Sequence, residues 1–277
     1  MERDSVFKSP TGKEKIRRYY DAILDSFPLE QRYVDTSYGK TFILEGGMAN
    51  TQPVVLLHGS CSNSAAWLGD FEALMENHHV FAVDIPGEPG NSGEFRLKIE
   101  SEEYPNWLHE VANAIPIAQF VLVGNSFGGW IALRYASMYP TRIKAMVLVA
   151  PSGILVPKQT FLDQTANITW DREHANAVTD AVAGDVAMPK EVKEFMMLVM
   201  EHFIPITGAL PVLSDSQLHH ISMPVLYIAG TDDVTMDTQL AAGRLSQLVD
   251  HTTVVLNKGA HVITSVSQTV IPFLENL

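Results

Sequence analysis

Short runs of Val, Leu, Ile and Ala alternate along the chain with longer segments in which apolar and polar residues are mixed. Several runs are apolar throughout, which is typical of strands buried on both faces of a parallel sheet. They predict eight strands, at residues 32–36, 41–45, 54–58, 80–84, 120–124, 145–150, 225–229 and 253–256. The first two, joined around Tyr38 and Gly39, are predicted to form an antiparallel hairpin at the edge of the sheet.

The segments between the later strands have the spacing of amphipathic helices. They predict helices at residues 64–76, 101–115, 128–139, 237–248 and 265–275. Strands that alternate with helices in this order are joined by right-handed crossovers and form a doubly wound sheet. We therefore expect an α/β fold with helices on both faces of a mostly parallel sheet.

One interval, residues 152–222, is too long for a single crossover and is predicted to be a helical insert. Within it, residues 191–203 place apolar side chains at the spacing of one helix face: Val192, Phe195, Met196, Val199, Met200 and Phe203. This stripe indicates either a helix packed into its own subdomain or a cap whose flexible side chains line an apolar pocket. In the second interpretation Met196, Met200 and Phe203 are the pocket residues.

Composition narrows the classes of function. Apolar residues make up 46% of the chain and charged residues 18%, as in ordinary globular proteins. The formal net charge of −13 disfavours binding to nucleic acid or to an anionic membrane surface. The single cysteine, Cys61, excludes an intramolecular disulfide and a cysteine-built metal site. The first residues show no secretory signal and no run is long enough to span a membrane, so we expect a cytoplasmic location.

The segment Gly124-Asn125-Ser126-Phe127-Gly128 matches the pattern G-x-S-x-G between a predicted strand and a predicted helix. A serine on such a sharp turn has a strained backbone, and side chains two residues before and after it would collide. Glycine at 124 and 128 removes the collision and leaves the hydroxyl of Ser126 exposed for reaction. A glycine-rich turn without chemistry is the alternative interpretation of this motif alone.

A serine hydroxyl needs a base to act as a nucleophile, and the base needs an acid to orient it. Downstream, Asp232 and Asp233 follow one predicted strand, and His261 follows the last. These loops and Ser126 all lie at the carboxyl ends of strands, the edge where such sheets bind ligands. The other histidines either flank strand starts or lie within helices and the insert, and no metal-ligand pattern accompanies them.

Upstream, His58 and Gly59 follow a predicted strand at the same edge. A turn of this kind supplies one N–H group of an oxyanion hole, and the residue after the nucleophile supplies the other. The predicted donors are the backbone amides of Ser60 and Phe127. Cys61 next to them has no partner pattern that would indicate a reactive thiol.

Over nearly its full length the chain resembles the α/β-hydrolase fold superfamily, and in closer detail the capped bacterial carboxylesterases. The resemblance rests on His58-Gly59, on residues 84–92, on residues 124–128, on residues 230–233 and on residues 259–261, which appear in the family's order. It implies an eight-stranded, mostly parallel sheet with a helical cap inserted after the sixth strand. Residues 1–151 and 223–277 would form the core, residues 152–222 the cap, and residues 13–27 an N-terminal amphipathic helix.

The family pattern makes Ser126 the nucleophile, His261 the general base and then acid, and Asp233 rather than Asp232 the orienting carboxylate. Residues 84–92 hold one residue more than the common form, and residues 262–268 lack a glutamate often found there, which weakens assignment to a subfamily. A serine nucleophile also argues against the dehalogenases and epoxide hydrolases of this fold, which use aspartate.

The expected function is hydrolysis of a small or medium carboxylic ester with an apolar part, through an acyl-enzyme and without a metal or cofactor. Two alternatives use the same fold. One is carbon–carbon bond hydrolysis or acyl transfer by the same three residues. The other is a ligand receptor or signalling protein without turnover.

Overall fold

The computed structural model describes residues 4–115, 117–166 and 172–277, with the backbone alone at residues 166 and 172–176. Within them lies one eight-stranded sheet in the order β1-β2-β4-β3-β5-β6-β7-β8. The strands are β1 Glu30–Thr36, β2 Gly39–Gly46, β3 Pro53–Leu57, β4 His79–Val83, β5 Phe120–Asn125, β6 Ile143–Val149, β7 Val225–Gly230 and β8 Thr252–Asn257. Only β2 runs antiparallel to its neighbours, β1 and β4. The predicted sheet and its edge hairpin are confirmed.

Helices cover both faces of the sheet, as predicted. They are α1 Pro10–Leu24, α2 Leu68–Met75, α3 Glu103–Ala114, α4 Phe127–Met138, α5 Gln159–Ala166, α6 Arg172–Ala183, α7 Lys190–His202, α8 Asp215–His219, α9 Thr238–Leu248 and α10 Ser267–Glu275. One hydrophobic core lies under α3, α4, α8 and α9, and the other under α1, α2 and α10. Strands β6 and β7 are almost wholly buried because each contributes side chains to both cores.

Most helix boundaries differ from the sequence prediction by one or two residues, and two helices differ by more. Helix α1 begins at Pro10 instead of residue 13, because the Ser9 hydroxyl accepts a hydrogen bond from the Gly12 amide and proline fits the first helical position. It ends at Leu24 instead of residue 27. The predicted helix at 64–76 is divided into a short 3₁₀ turn, Ser64–Trp67, followed by α2. Among the described residues, no helix is both long and apolar enough to cross a membrane.

Helices α5 to α8 all lie between β6 and β7, in the interval predicted as an insert. The most buried side chains of α7, Phe195 and Val199, pack toward α1, where the Tyr19 and Phe195 rings stack with centroids 6.4 Å apart. Met196 and Met200 are half-buried. Part of the apolar stripe therefore serves packing against the N-terminal helix.

Phe203 lies just beyond the end of α7, although the sequence pattern placed it on the helix face. Its ring contacts Phe7 edge-on, with centroids 6.1 Å apart, and Arg96 lies over it at 5.7 Å. The backbone continues this contact, since the Lys8 amide donates to the His202 carbonyl at 2.9 Å. This packing explains the burial of Phe203, and its predicted role in a pocket stays a prediction.

A buried carboxylate joins α1 to the loops above the sheet. Asp84, directly after β4, accepts hydrogen bonds from the Tyr20 hydroxyl at 3.1 Å, the Ser64 amide at 2.8 Å and the Ser64 hydroxyl at 2.7 Å. The Asn91 amide donates to its other oxygen at 2.7 Å. A buried charge is stable when its lone pairs are filled in this way.

Tyr20→Phe removes one donor from the buried Asp84 carboxylate, so we expect the free energy of unfolding to fall by about 1.5–3 kcal/mol. The neighbouring Tyr19→Phe is the matched control. It removes a hydrogen bond to Glu194 that water can replace, so we expect a loss below about 1 kcal/mol. Urea unfolding of both variants measures the difference. Equal losses of unfolding free energy would contradict the role of Asp84 in joining α1 to the loops.

Candidate active site

Ser126 occupies the one-residue turn between β5 and α4, with φ +48. A Cβ atom at Gly124 would lie 2.5 Å from the Gly128 carbonyl oxygen, and one at Gly128 would lie 2.3 Å from the Leu57 carbonyl oxygen. Both distances are too short for any side chain. The turn therefore requires glycine at both positions and brings the start of α4 against the end of β3.

Asp233 and His261 lie on the loops that follow β7 and β8. The His261 Nδ1 atom is 2.8 Å from Asp233 Oδ2, and its Nε2 atom is 3.1 Å from Ser126 Oγ. Because an ionised carboxylate only accepts hydrogen bonds, the ring proton lies on Nδ1 and Nε2 is free to accept from the serine hydroxyl. Asp232, the other predicted acid, is exposed.

Asp233 is buried, and burial alone would raise the pKa of its carboxyl group. Hydrogen bonds and charge from His261, with further hydrogen bonds from Thr235, outweigh burial and lower this pKa. Both the amide and the hydroxyl of Thr235 donate to Oδ1 at 2.7 Å, while His261 is bonded to Oδ2. The carboxylate is therefore ionised and held by both oxygens.

The predicted oxyanion donors lie on the two segments that flank Ser126. The Phe127 N–H is the first of α4, and the first amides of a helix have no acceptor within it. The Gly128 amide donates to the His58 carbonyl at 3.1 Å, which joins α4 to the loop that carries Ser60. The two predicted donors therefore lie on segments that are hydrogen-bonded to each other next to Ser126.

The ring of His58 is fully buried and has a definite proton position. Its Nε2 atom accepts from the Ile85 amide at 2.9 Å, so the proton lies on Nδ1, which donates to the Gly59 carbonyl at 2.8 Å. Burial lowers the pKa of His58 and keeps the ring neutral. The ring therefore acts as a fixed bridge between two loops.

Each of the three loops that carry Ser126, Asp233 and His261 is hydrogen-bonded to the interval between β6 and β7. The Ser152 amide donates to the Ser126 carbonyl at 3.1 Å. The Lys158 ammonium donates to the Asp233 carbonyl at 2.5 Å. The amide after His261 donates to the carbonyl of residue 182, in α6, at 2.9 Å.

Several of the remaining histidines have partners outside this site. His79 lies 2.6 Å from Glu45 at the start of β4, His109 stacks on Tyr139 with centroids 4.1 Å apart, and His219 bonds its own helix. His174 lies outside the described side chains. Among the described residues, no group of His, Cys, Asp or Glu side chains has the arrangement of a metal site.

The fold has close counterparts among known proteins. A family described as having the α/β hydrolase fold has a sequence pattern that matches residues 52–185 of this chain. The structure is similar to that of carboxylesterase CesB (YbfK) from Bacillus subtilis, with a TM-score of 0.88 and 23% identity over 96% of this chain and 99% of that chain. The chain has the α/β-hydrolase fold.

Two sequence relatives extend the likeness beyond the α/β-hydrolase fold itself. The chain is 26% identical to the uncharacterized carboxylesterase nap of Bacillus subtilis (strain 168), over 89% of this chain and 87% of that protein. It is 25% identical to carboxylesterase YbfK of the same organism, over 97% of this chain and 94% of that protein. The predicted likeness to bacterial carboxylesterases is confirmed.

The sequence analysis did not predict a role for three residues that contact Asp233 or the loop of Ser60. They are Thr235, Lys158 and Glu88. The spacing Asp-x-Thr is typical of a turn in which a carboxylate accepts from the amide two residues later, so a signal for Thr235 exists. Lys158 is 75 residues away from Asp233 along the chain, and no local pattern indicates that contact.

Glu88 is a buried carboxyl group beside the loop that carries Ser60. Its Oε2 atom accepts from the Cys61 amide at 2.6 Å, and Oε1 has no hydrogen-bond partner among the described residues. Burial raises the pKa of Glu88 to about 7, although the charge of Arg96 and the Cys61 amide act in the opposite direction. Burial, followed by the charge of Glu88, also raises the pKa of the Cys61 thiol and so disfavours a reactive thiolate.

Glu88→Gln should change how stability depends on pH. Between the ordinary pKa of 4.5 and about 7, the folded wild type keeps a proton that the unfolded chain has released. Wild-type stability contributed by this group is therefore complete below pH 4.5 and is lost as pH rises to about 7, by up to about 3 kcal/mol. The variant lacks this loss, and urea unfolding across that range measures it. Parallel curves for the two proteins would contradict the raised pKa.

Proposed function

We propose that the protein is a serine hydrolase that cleaves carboxylic esters through an acyl-enzyme. The observation that carries this proposal is the position of His261, whose two ring nitrogens lie within hydrogen-bond distance of Ser126 and Asp233. The relatives named carboxylesterase, at 25% and 26% identity, support ester hydrolysis as the reaction class.

In the acylation step the Ser126 oxygen attacks the ester carbonyl carbon, and its proton passes to His261 Nε2. The carbonyl electron pair moves to the oxygen, which the Ser60 and Phe127 amides stabilise as an oxyanion. When the tetrahedral intermediate collapses, the bond to the alcohol oxygen breaks and His261 returns the proton to the leaving alcohol. The acyl group remains on Ser126.

Water then takes the place of the alcohol. His261 removes a proton from the water as it attacks the acyl carbon, and returns that proton to Ser126 as the acid leaves. Asp233 stabilises the imidazolium and keeps the ring in the productive tautomer throughout. The lowered pKa of Asp233 supports this role, because its carboxylate stays ionised while His261 gains and loses a proton.

The proposed substrate is a small or medium ester with an apolar part. Residues 152–222 would form a cap over the site, separate from a core of residues 1–151 and 223–277, with Met196, Met200 and Phe203 as candidate pocket residues. The half-buried thioethers of Met196 and Met200 support an apolar, adaptable lining. A cytoplasmic location is part of the same proposal.

The first test is hydrolysis of p-nitrophenyl esters from acetyl to decanoyl by the wild type and by Ser126→Ala. We expect turnover by the wild type and a loss of at least about 10⁴-fold in the variant, because the nucleophile is absent. The chain length with the highest kcat/KM measures the size of the acyl pocket. Equal rates for the two proteins across the series would refute ester hydrolysis at Ser126 and favour the receptor or carbon–carbon alternatives.

A second test separates the two adjacent aspartates. Asp233→Asn should lower kcat by about 10⁴-fold, because the amide favours the unproductive tautomer of His261. Asp232→Asn makes the same chemical change one residue away, on an exposed side chain, and should leave kcat within about twofold. A comparable loss in Asp232→Asn would mean that the orienting acid is assigned to the wrong residue.

A further inference from the structure

Buried side chains hold both peptide groups that flank Ser60. On one side, the His58 Nδ1–H donates to the Gly59 carbonyl at 2.8 Å. The carbonyl and the N–H of a trans peptide point in opposite directions, so this bond directs the Ser60 N–H away from His58. On the other side, the Cys61 N–H donates to Glu88 Oε2 at 2.6 Å.

The backbone at Cys61 needs such a contact. Its φ of +57 lies in the left-handed region, which is disfavoured for a residue with a Cβ atom. A short hydrogen bond to a carboxylate is stronger than one to a neutral acceptor and offsets that cost. The conformation that follows Ser60 is therefore tied to the carboxylate of Glu88.

Glu88 is itself held in place. Its own amide donates to the Ile85 carbonyl at 3.2 Å, and its carbonyl accepts from the Gly90 amide at 2.8 Å. The charged and titratable groups that interact with its carboxylate are Arg96, Tyr104 and the Cys61 thiol. Among the described residues Arg96 forms no ion pair with it within 4.0 Å, so the Cys61 amide is its one hydrogen-bond donor there.

Tyr104 also contacts Phe127, the residue of the second predicted oxyanion donor. The buried Tyr104 ring packs edge-on against the Phe127 ring, with centroids 5.2 Å apart. The Tyr104 hydroxyl makes no hydrogen bond of good geometry in the described chain, although the Leu97 amide lies close to it. Glu88 therefore contacts the segment of Ser60 directly, while Tyr104, on which the charge of Glu88 acts, contacts Phe127.

We infer that Glu88 is a positioning residue for the oxyanion-binding amide of Ser60, because its carboxylate fixes the Cys61 amide while His58 fixes the peptide before Ser60. This inference rests on the proposed function. Glu88 does not touch the reacting atoms. It acts through the loop, and its effect is largest where negative charge develops on the substrate oxygen.

The kinetic test compares wild type, Glu88→Gln and Glu94→Gln with p-nitrophenyl butyrate at about pH 8. Glutamine keeps the size of the side chain and weakens the bond to Cys61, so we expect kcat to fall by about 10–100-fold with KM within about threefold. Glu94→Gln makes the same charge change at an ion pair with Lys13 near the surface and should match the wild type within about twofold.

A trifluoromethyl ketone separates positioning from general damage. Ser126 Oγ adds to its carbonyl carbon, the serine proton passes to His261, and the carbonyl oxygen becomes an oxyanion that needs the same amides. Its Ki should rise in Glu88→Gln by the factor by which kcat/KM falls. If kcat/KM falls while Ki stays at the wild-type value, the loss arises elsewhere and the inference is wrong.

The single cysteine allows a direct test of the contact. Labelling with ¹⁵N-cysteine gives one backbone amide resonance, that of Cys61. We expect it far downfield in the wild type at about pH 8, moving upfield on acidification with a midpoint near pH 7, where Glu88 gains its proton. In Glu88→Gln it should lie upfield, without that titration.

The outcomes are distinct. No ester turnover by the wild type would refute the proposed function, whereas turnover with unchanged kcat in Glu88→Gln would refute the positioning role alone. If Glu88→Gln does not fold, the chemical shift of the Cys61 amide in the wild type tests the inference. A Cys61 amide with an ordinary chemical shift at about pH 8.5 would overturn the inference. An amide far downfield would support it, and its upfield movement on acidification would identify Glu88 as the acceptor.

Discussion

The backbone of Ser126 is the constraint on which the rest of the site depends. A serine at φ +48 between strand and helix costs about 1–3 kcal/mol, and such a conformation persists only where its surroundings hold it. Hydrogen bonds from the Ser126 amide to the Val149 carbonyl at 2.9 Å and from the Trp130 amide to the Ser126 carbonyl at 3.0 Å do so from both sides. The almost wholly buried strands β5 and β6 supply the rigidity that these bonds need.

The close contact between Gly128 and the end of β3 also determines which loop lies next to Ser126. Because no side chain fits at Gly128, helix α4 starts directly against the end of β3, and the loop after β3 lies beside the serine. The loops after β7 and β8 reach the same edge because their strands run parallel to β5. Chain direction in the sheet therefore brings together residues that are far apart in sequence.

The parts that could be predicted from the sequence are those with a local signal. Strands such as β6 and β7 are apolar at nearly every position, and the contact with Gly128 that requires glycine at 124 lies within five residues. The contact of Gly128 with the Leu57 carbonyl is visible only in the fold. The start of α1 at Pro10 depends on the Ser9 cap, a polar contact that the apolar pattern from residue 13 onward does not contain.

Other features could not be predicted because their partners are distant in sequence. Glu88 meets Cys61 across 27 residues, and Lys158 meets Asp233 across 75. The stripe on α7 shows a related limit. Periodicity identified an apolar face, but only the fold shows that Phe195 and Val199 pack toward α1.

The three hydrogen bonds between the β6–β7 interval and the loops of Ser126, Asp233 and His261 have a consequence for how the protein can diverge. Two of them use backbone donors, at Ser152 and after His261, so they survive almost any change of side chain. Only the bond from Lys158 depends on residue type. Under the proposed function, helices α5 to α8 could therefore exchange their side chains and change which substrate is bound, while these hydrogen bonds keep Ser126, Asp233 and His261 in place. Substrate specificity could then change during evolution without loss of the reaction.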